Sequence, residues 1–212
     1  MGKITKIKLQ ETSKRANIFI DGKFKFGLDI ENILLSNLKL GQEIDEARLK
    51  ELVFKGEVSR LLERIGKFLA IRPRSEKEIR DRLSQKLYKR ELSEFIDRVK
   101  LKNSVLEKLS KLDFIDDEKF AKWWVQQRNQ FRPKGKRALM VELRTKGVDD
   151  EAIKKALAFL GSEKDLIKRL TDKKLKTLQR FSKKQKKEKT IQFLLRKGFS
   201  WEEIKETVGL ID

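Results

Sequence analysis

Lys134-Gly135-Lys136-Arg137-Ala138-Leu139-Met140-Val141-Glu142-Leu143-Arg144-Thr145-Lys146-Gly147-Val148-Asp149-Asp150-Glu151-Ala152-Ile153-Lys154-Lys155-Ala156-Leu157 reads as a short helix, a glycine stop, a tight turn and a second helix. A unit of that size cannot bury its apolar side alone, and it recurs. Displaced by 51 residues, Leu143, Lys146, Gly147, Glu151, Ile153 and Lys154 fall on Leu194, Lys197, Gly198, Glu202, Ile204 and Lys205, while Val148 and Leu157 fall on Phe199 and Val208. Gly147 and Gly198 each follow Lys or Arg in the last helical turn, where a left-handed residue ends a helix and cations suit the dipole. Capping candidates come two residues later, Asp149 and Ser200, and Ser200-Trp201-Glu202-Glu203 is a capping-box pattern that opens the next helix.

Upstream, Ser75-Glu76-Lys77-Glu78 is another capping box, opening a helix with Ile79 and Leu83. Leu83 and Lys86 take the places of Leu143 and Lys146, but Leu87 stands where the glycine should be, and about a dozen extra residues follow, from Tyr88 to Val99. The helix is therefore expected to run on through the missing stop. Before it, Leu61, Leu62, Ile65, Phe68 and Leu69 form one stripe that ends at Arg72-Pro73-Arg74. A second repeat opens at Phe114-Ile115-Asp116-Asp117-Glu118-Lys119-Phe120-Ala121, with Phe120, Ala121, Trp124 and Val125 on its buried side and Trp123 off that stripe, either packed between repeats or offered as an exposed aromatic. A third begins with Leu166, Ile167 and Leu170, and Phe199 and Trp201 are expected in its core.

The first 56 residues have another texture. Asn17-Ile18-Phe19-Ile20-Asp21-Gly22-Lys23-Phe24-Lys25-Phe26 alternates around an Asp-Gly pair, which predicts a hairpin, and Ile4, Ile7 and Leu9 suggest a further strand. Short helices are expected over 30–35 and 45–54. The predicted organisation is an α+β module at 1–56, an extended helical repeat at 57–115, and further repeats at 116–161 and 162–212.

The 212 residues carry 53 Lys and Arg against 33 Asp and Glu, a formal net charge of +20, so polyanions are the natural partners. Because the cations are interleaved with Leu, Ile, Phe and Trp at helical spacing, the chain reads as a folded basic protein and not a solvated arm. Cysteine and histidine are both absent, which removes disulfides, thiolate nucleophiles, ordinary zinc sites and imidazole triads. No phosphate-binding glycine loop is present, so no cofactor is expected. The start lacks the apolar core of a signal peptide, and no apolar run could cross a bilayer, so the expected address is the cytoplasm.

Asp113, Asp116 and Asp117 can be read as a carboxylate-and-metal nuclease centre, or more simply as helix caps. Between Glu163 and Lys189 there are twelve Lys or Arg against four acids, densest at Arg180-Phe181-Ser182-Lys183-Lys184-Gln185-Lys186-Lys187. That run is either a solvated linker or a phosphate-contacting loop. The residues expected to touch phosphate or an acidic protein surface are Arg72, Arg74, Lys134, Lys136, Arg137, Arg144, Lys146, Lys183, Lys184, Lys186, Lys187, Arg196 and Lys197. Fewer than half should matter singly, since an isolated exposed charge contributes little.

Four stretches together resemble the RecX regulatory proteins of bacterial recombination. They are Ser75-Glu76-Lys77-Glu78-Ile79 with Leu83; Phe114 to Ala121; Lys134-Gly135-Lys136-Arg137 with Leu143 and Lys146-Gly147-Val148; and Leu194 to Ile204. The hairpin-bearing front end resembles an extension found in some members. What the resemblance implies is a mainly α fold of tandem three-helix repeats in a curved array, with a small N-terminal module containing the hairpin. It further implies a non-catalytic protein that binds the RecA recombinase filament along its helical groove, lowers ATP hydrolysis and strand exchange, and binds single- and double-stranded DNA; a monomer is expected. Asp117, Phe120, Gly135, Leu143 and Gly147 are then the frame of the repeat. Leu87 and the insertion after it depart from the family pattern. A general basic DNA-binding repeat protein without a recombinase partner is the alternative; the acids early in its second helices argue against one of them reading base edges.

Overall fold

The computed structural model describes residues 1–11 and 14–208. It divides into two compact units, one made of Met1–Arg72 with Ile79–Ile115 and the other of Pro73–Glu78 with the chain from Asp116 onward.

The first unit opens with strands β1 (Gly2–Leu9), β2 (Arg15–Ile20) and β3 (Lys23–Asp29), followed by helix α1 (Ile30–Leu35) and a short strand β4 (Glu43–Ile44). The antiparallel sheet has the order β3-β2-β1-β4. Ile4 pairs with Ile20 and Ile18 with Phe26, and Asp21 and Gly22 both take positive φ, the backbone that a two-residue hairpin turn with native strand twist requires. Alternation places Ile18 and Ile20 inside. They pack with Leu28, Leu52, Leu61, Ile65, Ile79, Leu83, Leu101 and Val105 in one core.

Helix α2 runs unbroken from Glu46 to Leu69, capped by Asp45 accepting from the Arg48 N–H at 2.7 Å. The short helix expected over 45–54 is only its first part, and residue 56 lies inside it. Gly56 does not end the helix because it serves close approach: a Cβ there would lie 2.4 Å from the Gly27 carbonyl oxygen of β3. Arg15 fastens the same contact, its guanidinium donating to Ser59 Oγ and to the carbonyls of Gly27 and Gly56, each at 2.9 Å.

Helix α3 (Glu76–Tyr88) stops at the residue after Leu87, and α4 covers Arg98–Lys111. The expected run-on is thus a single residue. Leu87 is buried, and the Arg98 guanidinium donates to the Leu87 carbonyl and, at 2.9 Å, to that of Arg90. Without a glycine cap, the Leu87 carbonyl still accepts from the backbone Arg90 N–H at 3.3 Å, and the Arg98 side chain adds a second donor.

The second unit holds the first turn of α3 and six further helices: α5 (Asp117–Phe131), α6 (Lys136–Thr145), α7 (Asp150–Ala158), α8 (Lys164–Lys176), α9 (Lys183–Arg196) and α10 (Trp201–Val208). They form two triplets with separate cores. Phe120, Ala121, Val125, Leu139, Leu143, Ile153 and Leu157 fill one, and Ile167, Leu170, Leu194, Phe199 and Ile204 fill the other. Trp123 and Trp124 pack against Phe120 at 6.1 and 5.8 Å between centroids, so Trp123 serves its own triplet. Trp201 departs from expectation. It is 48% exposed at the first position of α10, where the helix turns its apolar stripe through Ile204 and leaves Trp201 at the rim.

Both triplets end their middle helix in the same way. Gly147 (φ +81°) donates to the Arg144 carbonyl and Val148 to that of Leu143; Gly198 (φ +84°) donates to that of Leu195 and Phe199 to that of Leu194. These are two superposable Schellman caps, the physical content of the 51-residue repeat.

Candidate nucleic-acid and filament interface

The glycine turns do more than end helices. Each docks on the N-terminus of an earlier helix, and the contact repeats. The Lys146 carbonyl accepts from Ser75 Oγ at 2.7 Å, and the Lys197 carbonyl accepts from the Gly135 N–H at 2.8 Å. A carboxyl oxygen completes each joint: Asp117 Oδ1 accepts from the Glu76 N–H at 2.8 Å, and Glu163 Oε1 from the Lys136 N–H at 2.9 Å. The free N–H groups at the start of α3 and α6 are thus capped by an acid borrowed from the next three-helix unit.

These joints fix several of the expected contact residues. Lys146 Nζ pairs with Glu78 at 2.6 Å and lies 4.4 Å from the Trp124 ring centroid, which the Arg128 guanidinium also approaches to 4.4 Å. Glu142 collects the Trp124 indole N–H and Arg128 Nε, both at 2.8 Å, and the Lys134 ammonium. Burial by itself would raise the Glu142 carboxyl, but hydrogen bonds from Lys134, Trp124 and Arg128 outweigh it and hold the group below the usual carboxylate range. Lys136 Nζ donates to the Gly161 carbonyl at 2.9 Å, and Lys197 Nζ to that of Pro133 at 3.2 Å. Burial lowers the Lys197 ammonium, and the charges of Lys134, in the α5–α6 connection, and Lys173 of α8 lower it further.

The other expected residues divide by partner. Arg144 makes a two-pronged pair with Asp150 at 2.7 and 3.1 Å, and Arg137 comes only within 4.0 Å of Glu202, at the surface. Arg72 and Arg74 are half-buried on either side of Pro73, Arg72 in the first unit and Arg74 in the second. Lys183, Lys184, Lys186 and Lys187 are different: none has an ion-pair partner among the described residues, and all but Lys186 are exposed. Arg196 is exposed at the other end of the same helix.

The basic run is not a loop. From Lys183 onward it opens α9, capped by Ser182 and Gln185 in a reciprocal box, with no acid in the first turn. Cations there face the positive end of the dipole, a placement that costs each about 0.3–1 kcal/mol. Gln185 was the legible signal, three residues after a serine. Sequence reasoning missed Glu142, Glu163 and Trp124 as organisers, because their partners lie on other helices.

The aspartates once readable as a metal centre are engaged elsewhere. Asp116 caps α5 by accepting from the Lys119 N–H at 2.8 Å, Asp117 caps α3, and Asp113 sits in a left-handed turn after α4. Among the described residues no group of three or more acids is placed to hold a metal ion.

Comparison with known proteins matches residues 116–157 to the family model described as RecX, second three-helix domain, residues 162–208 to the third three-helix domain, and residues 2–45 to the regulatory protein RecX N-terminal domain. Regulatory protein RecX of Bacillus subtilis (strain 168) is 33% identical over 213 aligned positions, covering 99% of this chain and 77% of the relative. The chain belongs to the RecX family. RecX of Listeria monocytogenes (serovar 1/2a) is 35% identical over 205 positions, covering 94% of this chain and 72% of its own length. Among solved structures, a crystal structure of regulatory protein RecX superposes with a TM-score of 0.76 at 25% identity, covering 99% of both chains. RecX from Lactobacillus salivarius gives 0.61 at 25% identity, over 74% of this chain and 97% of that one. The Bacillus and Listeria relatives are named as regulatory proteins, and among the described residues no helix is long and apolar enough to cross a membrane.

Proposed function

We propose that this chain is a non-catalytic, monomeric cytoplasmic regulator that binds the RecA–DNA nucleoprotein filament, lowers recombinase ATP hydrolysis and strand exchange, and binds single- and double-stranded DNA itself. The observation that carries the reading is RecX likeness along 99% of the chain. The charge distribution supports the DNA-binding part. With a net charge of +20, the cations fall into a set spent on joints, such as Lys134 and Lys146, and a set along α9 that has no ion-pair partner among the described residues. The second set is the one offered to phosphates. The working units in this reading are the module at 1–56 and repeats at 57–115, 116–161 and 162–212.

The test is ATP hydrolysis by RecA filaments on single-stranded DNA, with the protein titrated in after assembly at two salt concentrations. Inhibition well below one copy per recombinase protomer is the expected result, since a regulator of that kind caps ends or bridges several protomers. No change at saturation, with binding to bare DNA retained, would leave a general basic DNA-binding repeat protein.

A further inference from the structure

Tyr88 is the one tyrosine of the chain, and it stands at the last position of α3 with 88% of its surface exposed. An aromatic ring held in water at a helix end contributes almost nothing to the core. Beside it, a groove of about 480 Å³ is lined by Ser84, Leu87, Tyr88, Arg98, Val99 and Lys102. Its apolar lining is Leu87, the ring and Val99, and of these Leu87 is buried while Val99 is 63% exposed. Arg98 is immobilised by the Leu87 and Arg90 carbonyls, and Lys102 Nζ lies 3.5 Å from Ser84 Oγ.

The lining therefore contains two cations and no carboxylate. The neighbouring Asp97 is occupied as the α4 cap, accepting from the Val99 and Lys100 N–H groups at 2.7 and 3.2 Å. Glu91 and Glu94 belong to the connection before it and line no part of the groove. An occupant must offer a flat apolar face to a projecting ring and negative charge to the two cations beside it. A nucleotide does both. In duplex DNA the base faces are covered by their neighbours, so only an unpaired strand presents one. An acidic peptide would meet the cations, but its aliphatic side chains call for a concave cup more than a projecting plane.

We infer that the groove between α3 and α4 is a single-strand nucleic-acid site in which Tyr88 stacks on a base while Arg98 and Lys102 face the adjoining phosphates. This site has no residue in common with the α9 lysines and shares with the proposed function only the premise that the chain meets nucleic acid. Removing the ring should weaken binding to an oligothymidylate on the order of ten- to a hundredfold. Binding to a duplex of equal length should change by less than about twofold, because phosphate contacts alone serve it.

The experiment is fluorescence anisotropy with the full chain and labelled oligothymidylate or duplex, comparing the parent with Tyr88→Ala and Tyr88→Phe. Selective loss on the single strand for Tyr88→Ala, with Tyr88→Phe close to the parent, is the expected result. Ultraviolet cross-linking of a bromodeoxyuridine-substituted strand should then map to the peptide containing Tyr88. Unchanged single-strand affinity in Tyr88→Ala would overturn the site and leave the groove to an acidic protein segment. Equal losses on both DNA forms, or equal losses in both variants, would also overturn it. A parent chain that binds neither DNA form would sink the proposed DNA binding as well, so the two failures are distinguishable.

Discussion

At the scale of the residue, glycines at the joints separate two demands that look alike in a sequence. Gly161 takes φ +61° with open space around it, so Gly161→Ala meets only the backbone cost of a left-handed residue, about 1–2 kcal/mol. Gly198 takes φ +84°, and a Cβ there would also lie 2.4 Å from Ala138 Cβ, while a Cβ on Gly135 would lie 2.2 Å from the Gly198 carbonyl oxygen. Gly198→Ala and Gly135→Ala should each destabilise the second unit by about 2–4 kcal/mol, from strain and overpacking together. All three tryptophans belong to that unit, so urea unfolding followed by tryptophan fluorescence isolates it. Equal losses at Gly135, Gly198 and Gly161 would show that the close approach does not matter. Gly147 and Gly198 were legible as helix stops from the lysines before them, whereas the close approach at Gly135 was not, since its partner is 63 residues away.

At the scale of the element, the joint at the start of α6 depends on a buried acid. Glu163 is 4% exposed, and burial together with the hydrogen bond and charge of Glu203 pushes its carboxyl up to about 7. Facing it are the Lys136 N–H and ammonium from α6 and Glu203 from α10, while Asp165 and Arg169 of α8 share the adjoining cavity. The folded state therefore keeps a proton that the unfolded chain releases near the ordinary glutamate range. Stability from this group is complete below that range and is lost as pH rises toward and through about 7. The urea midpoint of the second unit should fall between about pH 5 and about pH 8, and Glu163→Gln, which keeps an acceptor for the Lys136 N–H, should flatten that fall. A midpoint with the same pH dependence in both proteins would assign the effect elsewhere. Helix existence was legible along nearly all of this region from apolar spacing, but α9 looked like a loop because a run of lysines suppresses that signal. Its reciprocal cap and the burial of Thr190 and Leu194 hold it helical.

At the scale of the whole molecule, the thirteen candidate cations divide into structural and available ones, and the two sets predict opposite experiments. Replacing Lys183, Lys184 and Lys187 together by Gln should leave the second unit at least as stable, since it relieves repulsion at a helix N-terminus. It should also reduce the dependence of log K on log salt for duplex DNA, by up to about 0.9 for each phosphate that is no longer neutralised. Replacing Lys146 should do the reverse. It removes the half-buried ion pair with Glu78 and the cation over the Trp124 ring, and should destabilise by about 1–3 kcal/mol with a smaller change in salt slope. Filter binding across a salt series, with urea unfolding of the same variants, reads both; a salt slope unmoved by the α9 changes would mean that DNA is held elsewhere. The sequence by itself determined the mainly helical class, the hairpin, the 51-residue repeat, the helix stops and the polyanion-seeking charge, because each depends on neighbours within a few residues or on a simple sum. Only the tertiary structure decided that α2 passes through Gly56, that Arg98 reaches back to the Leu87 carbonyl at the end of α3, that Asp117 and Glu163 cap helices of another repeat, and which lysines are spent. Those outcomes depend on groups brought within hydrogen-bond reach from dozens of residues away, and local spacing carries no record of such a distance.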